Sequence, residues 1–111
     1  MKVFKFGGAS VKDADSVRNV AAVLKKFPNQ KIIVVVSAMG KTTNALEKLT
    51  DAFFYGRENL KDILEEVKKY HWDVIKNLFS DSTHSVYKDI SGVFLELERN
   101  TKRTLSDSYN K

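Results

Sequence analysis

The chain has 111 residues, of which 42% are apolar and 30% are charged, and these values suit one small domain with a hydrophobic core. It has no cysteine and two histidines, which excludes a disulfide framework and argues against a structural zinc site. The formal net charge is +5, and the excess lies in residues 1–56, which hold nine Lys or Arg against four Asp or Glu.

Two strands are predicted, at residues 2–6 and 31–37. The second is a continuous β-branched run, which is typical of a strand buried on both faces of a parallel sheet. A helix from about Asp13 to Phe27 lies between the strands, and Pro28 with Asn29 ends it. This order predicts a β-α-β unit with parallel strands and a right-handed crossover.

From residue 42 onward the pattern is helical. One apolar stripe ends at Gly56, a helix C-cap, and two more cover residues 60–78 and 86–105, the last of them ending on Leu105. His71 falls on the middle stripe and is interpreted as a hydrogen-bonded core or boundary residue. The predicted fold class is therefore α/β, with two parallel strands followed by several helices.

Two strands leave the edges of the sheet open. An isolated two-stranded sheet is marginally stable, and open edges pair readily with other chains. We therefore expect the long helices to cover the sheet, or the chain to associate with itself. The organisation is typical of the front portion of a larger domain, with a β-α-β-α motif region at 1–56 and a helical segment at 57–111.

The first candidate site lies between Lys5 and Ser10. Gly7 and Gly8 follow the first strand, and a glycine pair exposes backbone N–H groups to an anion. The polar residues after them are predicted to open a helix, whose N-terminus favours negative charge. With the Lys5 ammonium beside it, this segment predicts a phosphoryl or nucleotide site. The alternative is a tight turn in which the glycines need positive φ and Lys5 is merely exposed.

The second candidate site is the segment from Ser37 to Asn44, which follows the second strand and leads into a helix. Ligands of open α/β sheets bind outside the carboxyl ends of the strands, so both segments should line one crevice. Gly40-Lys41-Thr42 also invites a P-loop interpretation, but the glycine required five residues earlier is replaced by Val35. A variant P-loop, in which Lys41 would be essential, stays open.

Together the two segments resemble aspartate kinases of the amino-acid kinase family. The family's first motif is Lys-Phe-Gly-Gly-Thr/Ser-Ser-Val, and residues 5–11 read Lys-Phe-Gly-Gly-Ala-Ser-Val. Its second motif is Val-Ser-Ala, a short glycine-containing stretch and Thr-Asn, which residues 36–44 match. The resemblance covers the first 56 residues and implies a partial three-layer fold of this family.

The resemblance implies ATP-dependent phosphorylation of the aspartate β-carboxylate, the entry step of lysine, threonine and methionine synthesis. By position, Lys5 would neutralise charge on the transferring phosphoryl, and Gly7 and Gly8 would donate backbone N–H groups to it. Ser10 would lie beside the phosphoryl and the substrate. The cofactors implied are ATP and the Mg²⁺ that accompanies it, with no metal site of the protein's own.

For the substrate, the resemblance implies that Ser37 donates a hydrogen bond to aspartate and that Thr43 holds one of its carboxylates. Asn44 is a motif neighbour grouped with them. Ala9 stands where the family usually has threonine or serine, and we expect a minor effect because the backbone of the loop keeps its role.

The family's Gly-Glu motif, whose glutamate grips the substrate amine, has no equivalent up to Lys111. The adenine and ribose pocket and the regulatory ACT modules also lie further on in the family. The expectation is therefore that residues 1–111 are an N-terminal fragment of a catalytic domain. We expect this fragment alone not to turn over aspartate.

Other function classes are weighed against the kinase. The basic first half could serve a nucleic-acid or partner-binding module, although the resemblance implies no nucleic-acid partner. No apolar run approaches the ~20 residues of a membrane span, and the charged start does not resemble a signal peptide. A cytoplasmic protein without a membrane partner is the expectation.

Overall fold

The computed structural model describes residues 1–102 and divides the chain into two compact units, Met1–Ala45 and the part that begins at Leu46. Leu105, the predicted end of the last apolar stripe, lies outside the described residues. Each unit is described by itself.

The first unit contains a two-stranded parallel sheet. β1 (Lys2–Phe6) pairs with β2 (Ile32–Val36), with Lys2 opposite Ile32 and Phe6 opposite Val36. The N–H of Lys2 donates to the carbonyl of Lys31 at 3.1 Å, and the N–H of Ser37 donates to the carbonyl of Phe6 at 2.9 Å. The predicted parallel pair is confirmed, and backbone pairing reaches one residue beyond each end of β2.

The two faces of the sheet differ in burial. Phe4 and Phe6 share one face, and the ring of Phe27 packs against that of Phe4 with centroids 5.1 Å apart. On the opposite face Val3, Ile33 and Val35 are 64%, 46% and 47% exposed. The prediction that the second strand is buried on both faces is therefore wrong. Phe27 covers the part of its side around Phe4, Val36 at the end of that side is 54% exposed, and the opposite face lies open.

The crossover between the strands begins with a short 3-10 turn, Gly8–Val11, and continues into α1 (Ala14–Leu24). The N-cap of α1 is Asp13, whose Oδ1 accepts the N–H of Ser16 at 2.8 Å. α1 ends three residues before Phe27, because the N–H groups of residues 26 and 27 bond three residues back and tighten the last turn before Pro28.

Three helices follow β2: α2 (Thr42–Phe54), α3 (Leu60–Leu78) and α4 (Ser85–Thr101). Gly56 ends α2 with φ 61°. The N–H of Arg57 donates to the carbonyl of Ala52 at 2.8 Å, and the N–H of Gly56 donates to the carbonyl of Phe53 at 3.3 Å. This pair of bonds is a Schellman motif. The predicted glycine C-cap is confirmed.

α3 and α4 pack as an antiparallel pair. Trp72 stacks on Tyr87 with ring centroids 5.8 Å apart, and about two turns further along α4 the ring of Phe94 lies 5.9 Å from that of His71. Beyond them Lys68 bonds Glu98, and this bond holds the pKa of the Glu98 carboxyl below its usual value. The Nδ1 of His71 lies 2.8 Å from the carbonyl of Val67, as expected of a hydrogen-bonded boundary histidine.

Two glycines of the second unit make a matched pair for a stability test. Gly92 lies exposed in the interior of α4, and a Cβ placed on it meets nothing within 4 Å. We expect Gly92→Ala to raise the free energy of unfolding by about 0.5–1 kcal/mol, since glycine in a helix loses more backbone entropy than alanine. Gly56→Ala should lower it by about 1 kcal/mol, because an alanine at positive φ is strained. Urea denaturation measures both, and equal effects of the two changes would contradict this account.

Candidate anion site at the strand ends

The carboxyl ends of β1 and β2 carry the first residues of the site. Lys5 lies opposite Val35 in the parallel register, and Ser37 follows Val35 by two residues. Because side chains alternate between the faces of a strand, Lys5, Val35 and Ser37 belong to the same face. Lys5 and Ser37 are both exposed, so the ammonium and the hydroxyl are open to solvent on the uncovered face of the sheet.

The two loops that follow the strands touch through their backbones. We call residues 7–12 the glycine loop and residues 37–41 the serine loop. The N–H of Gly40 donates to the carbonyl of Gly8 at 3.0 Å. A Cβ on Gly8 would lie 2.7 Å from the carbonyl oxygen of Gly40 and 3.2 Å from that of Ala38, so only glycine fits there without a shift of backbone. The contact holds the two loops side by side, and a crevice lined by both of them stays a prediction.

Neither glycine of the pair is required by an unusual dihedral angle, and Gly8 alone is required for space. Gly7 has φ −78° and ψ 177°, and among the described residues the glycines with positive φ are Gly40 and Gly56. A Cβ on Gly7 would meet nothing within 4 Å. The alternative in which the pair forms a positive-φ turn is therefore wrong: Gly8 permits a close backbone approach, and Gly7 leaves the loop backbone open.

Two backbone carbonyls, one at the end of β1 and one in the glycine loop, point toward the serine loop. The carbonyls of Phe6 and Gly8 accept the N–H groups of Ser37 and Gly40. In a trans peptide unit the C=O and N–H point in opposite directions, so the N–H groups of Gly7 and Ala9 point away from the serine loop. These N–H groups are therefore directed to the side of β1 that β2 does not occupy.

The role of a helix N-terminus in anion binding stays a prediction, and α1 does not supply that N-terminus. The segment after the glycine pair is the short 3-10 turn, and α1 begins only at Ala14. The carboxylate of Asp13 caps α1, and the backbone hydrogen bond from Ser16 lowers the pKa of that carboxyl. With a second carboxylate, Asp15, in its first turn, this helix end already carries negative charge.

Ser10 lies beside α1. It lines a hollow of about 470 Å³ between the glycine loop and α1, together with Phe6, Ser16 and Asn19. Phe6 belongs to the sheet face that Phe27 covers, whereas Lys5 belongs to the opposite face. The structure thus brings Lys5, Gly8 and Ser37 together at one edge of the sheet and places Ser10 beside α1.

The serine loop ends in a tight turn at the start of α2. Gly40 has φ 55°, and the N–H of Thr42 donates to the carbonyl of Met39 at 3.0 Å. The hydroxyl of Thr42 donates to the same carbonyl, and Thr42 is buried, whereas Thr43 and Asn44 are exposed in the first turn of α2. The sequence assigned Gly40 and Thr42 to the P-loop interpretation and to the second family motif, and it did not predict this turn, although a glycine followed by Lys-Thr is a usable turn signal.

This geometry argues against the variant P-loop. In a P-loop the Ser or Thr after the lysine directs its hydroxyl to Mg²⁺. Here the Thr42 hydroxyl is bonded to Met39, and Thr42 is only 7% exposed.

Two features are absent from residues 1–102. No group of three or more His, Cys, Asp or Glu side chains in this part of the chain could hold a metal ion. None of the helices described is long and apolar enough to cross a membrane.

Comparison with known proteins identifies one family that has both this fold and these motifs. The sequence profile described as the amino acid kinase family matches residues 1–101. The chain belongs to the amino acid kinase family. A crystal structure of Clostridium acetobutylicum aspartate kinase superposes on 92% of the chain with a TM-score of 0.74 and 21% identity, and this likeness supports the fold. The predicted α/β fold class, a partial fold of this family, is confirmed.

Relatives within the amino acid kinase family include named aspartokinases. Aspartokinase 2 of Arabidopsis thaliana, a chloroplastic protein, is 38% identical over 84 residues, which is 73% of this chain. Aspartokinase 2 of Bacillus subtilis is 44% identical over 52 residues, 45% of this chain. The chain spans 15% and 13% of the length of these relatives and 24% of the clostridial chain.

The two glycines of the glycine loop test whether close backbone packing contributes to stability, because only Gly8 is closely packed. We expect Gly8→Ala to lower the free energy of unfolding by about 1–3 kcal/mol, because its methyl group meets two backbone carbonyls that cannot move independently. Gly7→Ala is the matched control and should leave stability within about 1 kcal/mol of the parent chain or raise it. Urea denaturation of both variants measures the difference, and a Gly8→Ala variant as stable as Gly7→Ala would overturn the loop contact.

Proposed function

We propose that this chain carries part of the phosphoryl-transfer site of an aspartate kinase. The reaction is transfer of the ATP γ-phosphoryl group to the β-carboxylate of aspartate. The observation that carries the proposal is the Gly8–Gly40 backbone contact, which joins the loops that follow Lys5 and precede Thr43. The names of the matched aspartokinases support the choice of substrate.

The polyphosphate would bind at Lys5 and the open backbone of Gly7 and Gly8. Phosphoryl transfer needs positive charge and oriented donors around the moving group, with little covalent catalysis. Residues 1–45 hold eight Lys or Arg and two Asp or Glu, a net charge of +6, which favours approach of a polyanion. Mg²⁺ would arrive with the nucleotide and neutralise part of its charge.

Aspartate would bind at the serine loop. The Ser37 hydroxyl and the exposed first turn of α2, with Thr43 and Asn44, offer neutral donors to its carboxylates. An oxygen of the β-carboxylate attacks the γ-phosphorus, the bond from that phosphorus to the bridging oxygen breaks, and ADP leaves with the electron pair. Lys5 stabilises the charge that develops on the transferring group. Ser10, in the hollow beside α1, stays a predicted neighbour of the phosphoryl.

The kinase proposal is tested by removing one ammonium. Lys5→Ala should lower kcat for aspartate-dependent ADP release by about 10²–10³-fold, since a preorganised charge at the transferring group is lost. The assay uses the protein that contains this sequence, expressed from its natural reading frame. Lys31→Ala, at the opposite end of the sheet, is the matched control and should retain the parent rate. Full activity of Lys5→Ala would overturn the proposal.

The same variants separate the kinase from a basic binding module. A nucleic-acid binder would bind more weakly as the salt concentration rises and would keep its affinity in Lys5→Ala.

A cytoplasmic location is part of the proposal, although the Arabidopsis relative is chloroplastic.

We further infer that copies of this chain associate through the amino-terminal half of the open sheet face, away from Lys5. Val3 and Ile33 lie opposite each other there and expose apolar side chains, and each of the two strands has one edge without a partner within the described sheet. Ile33→Lys should convert the assembly to a monomer in light scattering, because burying an ammonium in an apolar contact is costly. Val93→Lys, on an exposed position of α4, is the control. A monodisperse monomer of the parent chain would contradict the inference.

A further inference from the structure

Thr42 is a buried polar residue at the junction of the serine loop and α2. It is 7% exposed, and its N–H and its hydroxyl both donate to the carbonyl of Met39. A buried hydroxyl is stable only when it is hydrogen-bonded, and here it closes the turn that contains Gly40. The side chain therefore belongs to the framework of the loop and is turned away from any ligand.

The carbonyl that Thr42 holds belongs to the same peptide unit as the N–H of Gly40. That unit is planar and rigid, and its C=O and N–H point in opposite directions. When Thr42 fixes the Met39 carbonyl, it therefore fixes the direction of the Gly40 N–H. The Gly40 N–H donates to the carbonyl of Gly8 at 3.0 Å.

We propose that Thr42 is the positioning residue that sets the separation of the glycine loop and the serine loop. It clamps the Met39–Gly40 peptide unit from one side while the Gly8 carbonyl holds it from the other. The proposal rests on the proposed function, because the separation matters only if the two loops bind the two reactants.

The neighbouring threonine supplies a contrast on the same helix turn. Thr43 is exposed and free of this clamp, so its hydroxyl can face a ligand. Thr42 and Thr43 are thus adjacent residues of one type with different tasks: Thr42 positions, and Thr43 binds. Thr42→Val and Thr43→Val therefore remove the same hydroxyl group from two neighbouring positions.

The first experiment measures amide hydrogen exchange in the 111-residue chain and does not depend on catalysis. Thr42→Val should accelerate exchange of the Gly40 N–H by about 5–10-fold, the loss expected for one hydrogen bond. Thr42→Ser keeps the hydroxyl and should stay within about twofold of the parent chain. Thr43→Val should leave the Gly40 exchange rate unchanged. An unchanged rate in Thr42→Val, or an equal effect of Thr43→Val, would overturn the clamp.

Circular dichroism first establishes that each variant is folded. If Thr42→Val is unfolded, Thr42→Ser decides the question. The clamp predicts parent-like exchange at Gly40 in that variant, whereas a role for the buried methyl group predicts faster exchange.

The second experiment measures kinetics in the protein that contains this sequence. Thr42→Val should lower kcat, because the Met39 carbonyl keeps only the bond from the N–H of residue 42 and the two loops are held less firmly, and Thr42→Ser should restore it. Thr43→Val should act mainly on KM for aspartate. If Lys5→Ala remains active while Gly40 exchange responds to Thr42→Val, the clamp exists and the proposed function fails. If Lys5→Ala is inactive while exchange does not respond, the kinase stands and the clamp fails.

Discussion

The peptide unit between Met39 and Gly40 connects the two loops of the candidate site, and the geometry of that site depends on it. Its carbonyl accepts two hydrogen bonds from Thr42, and its N–H donates to the carbonyl of Gly8. Because a peptide unit is rigid, restraints at its two ends act on a single orientation. The contact is made of backbone atoms at close range, which is why Gly8 leaves no room for a side chain.

The charges of the first unit reinforce this arrangement and restrict where an anion can bind. Lysines outnumber carboxylates in residues 1–45, yet Asp13 and Asp15 lie at the start of α1. A polyanion is therefore attracted to the unit as a whole but repelled from the helix end that follows the glycine loop. The combination favours Lys5 and the open backbone of Gly7, on the uncovered face and edge of the sheet.

The sheet itself has the composition of a covered strand pair but the burial of a half-covered one. β-branched residues such as Ile33 and Val35 are typical of strands that a parallel sheet buries on both faces. In this chain both side chains are exposed. The matched segment makes up 15% of the Arabidopsis aspartokinase and 24% of the clostridial kinase chain. The helical pair α3–α4 differs from the sheet, since aromatic rings pack against each other between the two helices and Lys68 bonds Glu98.

Local patterns in the sequence were sufficient to predict the two strands, the helices after residue 42 and the Gly56 cap. Each of these depends on neighbouring residues, through the period of the apolar positions or the dihedral freedom of one glycine. Tertiary structure alone decided which sheet face is covered, why Gly8 is a glycine, and which of Thr42 and Thr43 is turned inward. Those features depend on contacts between backbone atoms of segments that are distant in the sequence, and the pattern of side chains along the chain does not predict such contacts.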